Sequence, residues 1–310
     1  METISTVGMN KADWLLARRC GIGGSDAAAV MGLNPYKSPI ELYFEKTAET
    51  EPDTSAPSES AYWGTVLEAP IAARYAELHP EVRVRRNNHI LVHPEYNFIF
   101  ANLDREIRGD DGEVYGLEIK TASYHNRGDW DEGVPIPYAV QCQHYMAVTG
   151  YTKFVVAALI GGQTYIEREI ARDDEIITNL IEKEKEFWHN VVTGTPPEWD
   201  GSKSAWQILK EMYPSHVAGK IVELPSALTE DIKTMIEIDK LRKEAEKTAA
   251  DYKKKADVYK QKIAAAIGDA ERGILPGFRV SYPTVSIPEK TTKAYTYRRM
   301  TVKEEKNEEE

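Results

Sequence analysis

Residues Gly116 to Lys120 read Gly-Leu-Glu-Ile-Lys, and Asp104 stands fourteen positions before Glu118, across a turn-rich Gly109-Asp110-Asp111-Gly112. A hairpin centred on Asp111 makes residues whose numbers sum to 222 face one another, which sets Asp104 opposite Glu118. Directly opposed side chains in an antiparallel pair are roughly 4.5 to 5.5 Å apart, and like charges there repel unless something neutralises them. A divalent cation does so. Alternation along a strand puts Glu118 and Lys120 on one face and turns Leu117 and Ile119 the other way, into a core. Hard carboxylate oxygens suit Mg²⁺, with Mn²⁺ as a substitute, and such an ion can lower the pKa of a water and screen charge on a phosphate. The lysine adds a fixed positive charge for the attacking hydroxide or the pentavalent phosphate. Phosphodiester hydrolysis is the chemistry this set can do. The plain alternative is a solvated hairpin face that carries three charges.

The elements around this hairpin are read from apolar spacing and punctuation. Strands are predicted at residues 82–86, 90–93, 98–105, 114–121, 154–160 and 164–170, the fourth and fifth separated by a helix over 138–149. A helix over 11–19 ends at Gly21; Ser25-Asp26 can cap a helix over 27–31, and Ser38-Pro39 can start one over 40–46. In the stretch from Trp63 to Leu78, Leu67, Ile71, Tyr75 and Leu78 recur at helical spacing, so Glu68 lies at the edge of the buried stripe, within reach of the sheet's end. Gln141 and Tyr145, four apart, share a helix face, and their amide and phenol can hydrogen-bond a phosphate or a metal-bound water. The result is α/β: a central mixed sheet flanked by helices, followed by a helical and short-strand extension.

Composition bounds the class. A chain of 310 residues with 42% hydrophobic content can bury one large core with an appendage. No apolar run is long enough to span a bilayer and no signal peptide opens the sequence, so a cytoplasmic location is expected. Cys20 and Cys142 are too few and too far apart for a zinc site or a disulfide scaffold and are expected to be small packing residues. The net charge of −11 argues against a general grip on nucleic acid, but the acidic residues include those of segments 50–59 and 303–310, which are expected to be solvated and far from any groove. Basic clusters stand at Arg18 and Arg19, at Arg83, Arg85 and Arg86, at Lys253 to Lys255, and at Arg298 and Arg299.

The wider pattern resembles the YqaJ-type viral recombinases, which are related to phage lambda exonuclease within the PD-(D/E)XK nuclease superfamily. The resemblance rests on Trp14 to Arg19 leading into Gly21-Ile22-Gly23-Gly24-Ser25-Asp26, on Met31 to Tyr36, and on Trp63-Gly64 followed by Glu68. Asn102-Leu103-Asp104, Glu118-Ile119-Lys120 and the Gln141 to Tyr145 element complete it, in family order, over about residues 11 to 200. It implies a restriction-endonuclease-like core in which Glu68, Asp104, Glu118 and the main chain at Ile119 bind Mg²⁺ while Lys120 assists the nucleophilic water. It further implies that Arg18 (or Arg19 in its place), Ser25, Asn102, Gln141 and Tyr145 hold the substrate's 5′ phosphate, Asn102 standing where lambda-type relatives carry a serine. The activity implied is 5′-to-3′ digestion of duplex DNA ends, feeding an annealing protein of the RecT or Bet kind in phage recombination inside a bacterial host. A homo-oligomer, in the form of a trimeric ring, is implied as well. A RecB-like single-strand nuclease and a non-catalytic DNA-end-binding module are the alternatives. On this reading residues 1–200 form the nuclease core, 201–302 a helical and β extension that includes a long helix or helical hairpin over 228–267, and 303–310 an acidic disordered tail.

Overall fold

The computed structural model describes residues 2–285. It comprises two units, the first ending at Met212 and the second beginning at Tyr213. The first unit opens with β1 (Thr3–Ser5), α1 (Lys11–Arg19), β2 (Ile22–Gly23), α2 (Gly24–Val30), α3 (Pro39–Thr47) and α4 (Glu59–Leu78). Strands β3 (Val82–Arg85), β4 (His89–Val92), β5 (Ile99–Ala101), β6 (Arg105–Gly109) and β7 (Val114–Ala122) follow. Beyond a 3₁₀ turn come α5 (Ile136–Thr149), β8 (Lys153–Ile160), β9 (Thr164–Ala171), α6 (Asp174–Thr193) and α7 (Lys203–Met212).

Local chemistry explains the helix ends. Asn10 and Ser38 accept hydrogen bonds from the main-chain N–H groups of Asp13 and Glu41, capping α1 and α3, and Pro39 begins α3 with its φ already set. Gly150 and Gly194 stop α5 and α6 in the left-handed conformation that a side chain disfavours. Helix α2 starts earlier than the spacing predicts. Gly23 is its cap and Asp26, three residues in, accepts from the Gly23 N–H, which leaves Ser25 in the first turn with its hydroxyl free for other partners.

The strands form two sheets. A five-stranded sheet runs β3-β6-β7-β8-β9, antiparallel except for the parallel β7–β8 pair that α5 connects, and a four-stranded sheet runs β1-β4-β5-β2. The hairpin register is the one the turn dictates: Arg105 faces Leu117 and Ile107 faces Tyr115. The single strand predicted over residues 98–105 is in fact two. The chain leaves the four-stranded sheet after Ala101, crosses on Asn102-Leu103-Asp104 and enters the five-stranded sheet at Arg105. Leu103, buried within the core that α5 covers, pins the crossing.

That switch creates a fork. Because β6 begins at Arg105, the β7 residues beyond Leu117 pair with β8 alone, and the opposite edge of β7 is open from Glu118 to Ala122. Both faces of the sheet are covered. Helix α4 packs Ile71, Ala72 and Tyr75 onto Leu117, Ile119 and Ala157, while α5 packs Cys142, Tyr145 and Met146 onto Phe154, Val156 and Ala158. Gly116 is required here, since a Cβ would fall 2.0 Å from the Phe154 ring. Cys142 is a packing residue as expected; Cys20 is exposed, because it follows the last turn of α1 at the surface.

The second unit holds α8 (Leu228–Ile267) and the antiparallel pair β10 (Arg272–Leu275) and β11 (Phe278–Ser281). The remainder of the predicted short strands, and the acidic tail, lie outside the described residues. Among the described residues, no helix is long and apolar enough to cross a membrane.

Candidate active site

The fork gathers the charged residues of the hairpin. Asp104, the last residue of the crossing, turns its carboxylate to the open edge of β7, where Oδ2 accepts a hydrogen bond from the Ile119 N–H at 2.8 Å. In an extended strand the N–H and C=O of one residue face the same edge, so the Ile119 carbonyl is presented beside Asp104. Glu118 and Lys120 point to the other side of that strand from Leu117 and Ile119, beneath α5. The Lys120 Nζ donates to Glu118 Oε1 at 2.6 Å and to Gln141 Oε1 at 3.1 Å, and it lies 4.8 Å above the Tyr138 ring.

Glu118 is the electrostatic centre. It is 2% exposed, Oε1 takes hydrogen bonds from Lys120 and Gln141, and Oε2 is buried with no hydrogen-bond partner. Burial, with the neighbouring Asp104 charge, pushes its carboxyl up to about 8, against the pull of Lys120. Burial likewise raises Asp104, and burial together with the Asp104 charge raises Glu68. For Lys120, burial works toward the neutral amine, but the Glu118 carboxylate more than offsets it and the pKa is raised. The ammonium form of Lys120 is favoured, which suits it to holding negative charge.

Glu68 reaches the fork from α4, on the other side of the sheet from Glu118, and Arg105 stands beside it: its guanidinium lies 3.9 Å from Glu68 Oε2 and donates to the Asp104 main-chain oxygen at 2.5 Å. Among the described residues, no three His, Cys, Asp or Glu side chains are close enough to ring an ion by themselves. The donors present still fit Mg²⁺, which keeps several waters and takes only one or two carboxylates. An orphaned, buried carboxylate oxygen beside a second carboxylate and a main-chain carbonyl is the donor chemistry such an ion needs.

The residues expected at the DNA end divide into two groups. Arg18 Nη2 donates to the Ser25 hydroxyl at 2.5 Å, with its guanidinium carbon 4.8 Å from the Trp14 ring centre, and Ser25 is exposed. Arg19 is occupied elsewhere, donating to the carbonyls of Ala48 and Thr50, so the structure separates the two arginines. Gln141 and Tyr145 do not stand with Arg18. They are buried behind the carboxylates, Gln141 Nε2 donating to Glu118 Oε1 at 2.7 Å and to the Tyr145 hydroxyl at 2.9 Å. In this arrangement they fix Glu118 and Lys120. Asn102 lies in the crossing, half-buried, and takes no part in that network among the described residues.

Gly24 joins the two groups. A Cβ at Gly24 would sit 2.3 Å from the Tyr145 ring and 3.0 Å from Gln141 Cγ, so only glycine lets the start of α2, with Ser25, come against α5. Two buried ion pairs hold this arrangement and are invisible in the sequence. Lys46 Nζ meets Asp26 at 2.7 Å and the Arg18 carbonyl at 3.0 Å, tying α3 to α2 and to the end of α1. His144, fully buried, meets Glu184 at 2.6 Å and the Phe100 carbonyl at 2.8 Å, tying α5 to α6 and β5.

Comparison with known proteins sets this geometry in context. Residues 13–152 match the family described as YqaJ-like viral recombinase domain. The uncharacterized protein YqaJ of Bacillus subtilis (strain 168) is 40% identical over 283 residues, which cover 90% of this chain and 85% of the relative. Among solved structures, an alkaline exonuclease from Laribacter hongkongensis aligns over 64% of this chain and 96% of its own, with a TM-score of 0.49 and 21% identity. The structure of LHK-Exo in complex with dAMP aligns over the same shares with a TM-score of 0.48.

Proposed function

This chain belongs to the YqaJ-like viral recombinase family, and from that premise we propose that it is a Mg²⁺-dependent exonuclease that digests one strand of linear duplex DNA from a phosphorylated 5′ end. The observation that carries the reading is the Glu118 carboxylate: buried, half satisfied by Lys120 and Gln141, and unpartnered at Oε2 beside Asp104 at an open strand edge. A divalent cation at Oε2 would displace the proton that burial favours on this carboxyl and would satisfy the orphaned oxygen.

Asp104, Glu118 and the Ile119 carbonyl would hold the divalent cation, with Glu68 joining from α4. Bound there, the ion supplies Lewis acidity and a lowered pKa for an attacking water. The chain's own groups do the rest. Lys120, kept protonated by Glu118 and aimed by the Gln141 carbonyl, stabilises charge that develops on the phosphate oxygens in the transition state. Arg105, between Glu68 and the Asp104 main chain, and Arg86 lower the repulsion at the fork, which a net acidic chain needs before it admits DNA.

Arg18 and Ser25 bind the terminal phosphate, a guanidinium and a hydroxyl matching the extra charge and free oxygens of a monoester. Through Gly24 this pair is packed against the helix that positions Glu118, so end recognition and hydrolysis are neighbours and cleavage stays close to the end. The single strand left behind serves an annealing partner of the RecT or Bet kind. The protein acts as a homo-oligomer in the bacterial cytoplasm during phage or prophage recombination.

Digestion of linear duplex labelled on one strand, with 5′-phosphate or 5′-hydroxyl ends and a closed circle as control, tests the reading. Phosphorylated ends should be degraded about tenfold faster or more, the worth of a charge-assisted pair, and the circle should survive. Equal rates remove the role of Arg18 and Ser25. No digestion with any divalent cation leaves a binding module in place of an enzyme.

A further inference from the structure

Strand β3, at one edge of the five-stranded sheet, reads Val82-Arg83-Val84-Arg85, and Arg86 follows it. Alternation turns Val82 and Val84 toward α4, where they pack onto the core of that face, and turns Arg83 and Arg85 to the face that also carries Glu118 and Lys120. Both arginines are exposed, and among the described residues neither forms an ion pair. The register sets their neighbours on β6: Arg83 faces Arg108 and Arg85 faces Glu106. Glu106 is already engaged, accepting from Arg108 Nε at 3.0 Å and from the Tyr151 hydroxyl at 2.9 Å. Three guanidinium groups thus share one carboxylate, and two of them stand directly opposite each other, a pairing that is unfavourable unless an anion lies between.

Guarding an edge strand against stray pairing accounts for a charged side chain of either sign, and lysine is the usual choice. It does not account for a run of arginines in a chain with 50 acidic and 39 basic side chains. Guanidinium groups suit phosphate, whose oxygens they bind in pairs. The stripe also begins at the fork, where the charge of Arg86 is felt by Glu68 and Asp104. From Glu118 to Arg83 the sheet spans four residues along the strands and two strand spacings across them, about 16 Å, the length of about five base pairs. Resting on the exonuclease reading, we propose that Arg83, Arg85 and Arg108 form a track for the sugar–phosphate backbone of the duplex still to be digested, gripping it about five base pairs inward of the cleaved linkage. Such contacts carry no sequence information; they keep the duplex in register with the site between successive cuts.

Binding of a labelled duplex end by the inactive Asp104→Asn protein, titrated at several salt concentrations, tests the track without requiring hydrolysis. Adding Arg83→Gln and Arg85→Gln should weaken binding about tenfold and make the dependence of log K on log salt shallower by about 2, one for each lost phosphate contact, with circular dichroism unchanged. Arg168→Gln, on the opposite edge strand β9, removes an exposed charge of the same sign and should leave affinity and slope as they were. Neutral methylphosphonate linkages placed about five positions from the end should weaken binding while both arginines are present and add little once they are gone. In the active protein the double variant should raise KM for duplex, hold kcat to within about twofold, and keep the preference for 5′-phosphate ends that rests on Arg18 and Ser25. An unchanged salt slope, or a methylphosphonate penalty that persists in full in the double variant, overturns the track. So does a changed sedimentation coefficient in the double variant without DNA, which would assign the stripe to a contact between copies of the chain. Failure of wild type to digest DNA with any cation strikes the exonuclease reading instead and leaves the binding result standing.

Discussion

Glu118 makes the metal-free protein sensitive to pH in a direction that can be derived. Its carboxyl is lifted from 4.5 to about 8 by burial and by Asp104, so the folded state holds this proton more tightly than the unfolded chain does. A raised acid stabilises the fold below its unfolded pKa and loses that contribution as pH climbs toward the folded value. Asp104 and Glu68 are raised too, and His144, raised by Glu184 against the effect of burial, acts in the same sense above its ordinary 6.5. Thermal melts of the metal-free protein should therefore show a midpoint that falls between pH 5 and pH 8, and Glu118→Gln should flatten much of the slope. A midpoint that rises over that range would falsify the assignment. In digestion assays Glu118→Gln and Asp104→Asn should each lower the rate by about a thousandfold or more, as expected for the loss of a principal electrostatic group, with the fold retained. At this scale the sequence was informative because a hairpin turn fixes register arithmetically: the turn at Gly109 to Gly112 sets Arg105 opposite Leu117, whereas Asp104, expected opposite Glu118, lies beyond the paired residues and reaches the Ile119 N–H instead. The pairs Asp26–Lys46 and His144–Glu184 were not legible, since each joins residues on separate helices whose approach no local pattern encodes.

Among the elements, the packing of α2 against α5 links the candidate phosphate pocket to the carboxylates. Gly24→Ala puts a methyl group into the Tyr145 ring; it should cost about 1 to 3 kcal/mol of stability, the usual range for overpacking, and should lower digestion more than Gly112→Ala, a change in the hairpin turn remote from α5. Urea unfolding and the digestion rate read the two effects separately. Glu184→Gln, which leaves His144 without its anionic partner in a dry interior, should destabilise by about 3 kcal/mol or more, seen as a lower urea midpoint. Most helices and strands were readable from periodicity and caps. The break between β5 and β6 was not: Phe98 to Leu103 is apolar but for Asn102 and holds no Gly or Pro to mark a stop, and the crossing is decided by which sheet has an edge to offer at Asn102. That undetected break is what opens the edge of β7 and makes the site.

For the molecule as a whole, the placement of charge matters more than its sum, since a chain with a net charge of −11 keeps Arg86, Arg105 and Lys120 around its acidic fork. Binding of DNA should accordingly weaken steeply with salt despite the acidic balance, measurable by titrating labelled duplex ends at several ionic strengths with the inactive Asp104→Asn variant. The helical pattern over residues 228–267 was evident from its composition, and the structure shows it as one unbroken helix. The central claim is that the fork holds a divalent cation, and the most direct measurement is Mn²⁺ binding followed by electron paramagnetic resonance on the full chain. Wild type should sequester Mn²⁺ competitively with Mg²⁺, and Asp104→Asn and Glu118→Gln should lose that binding while their circular dichroism stays unchanged. Wild type that leaves Mn²⁺ free in solution, or variants that bind it as well as wild type does, would contradict the account.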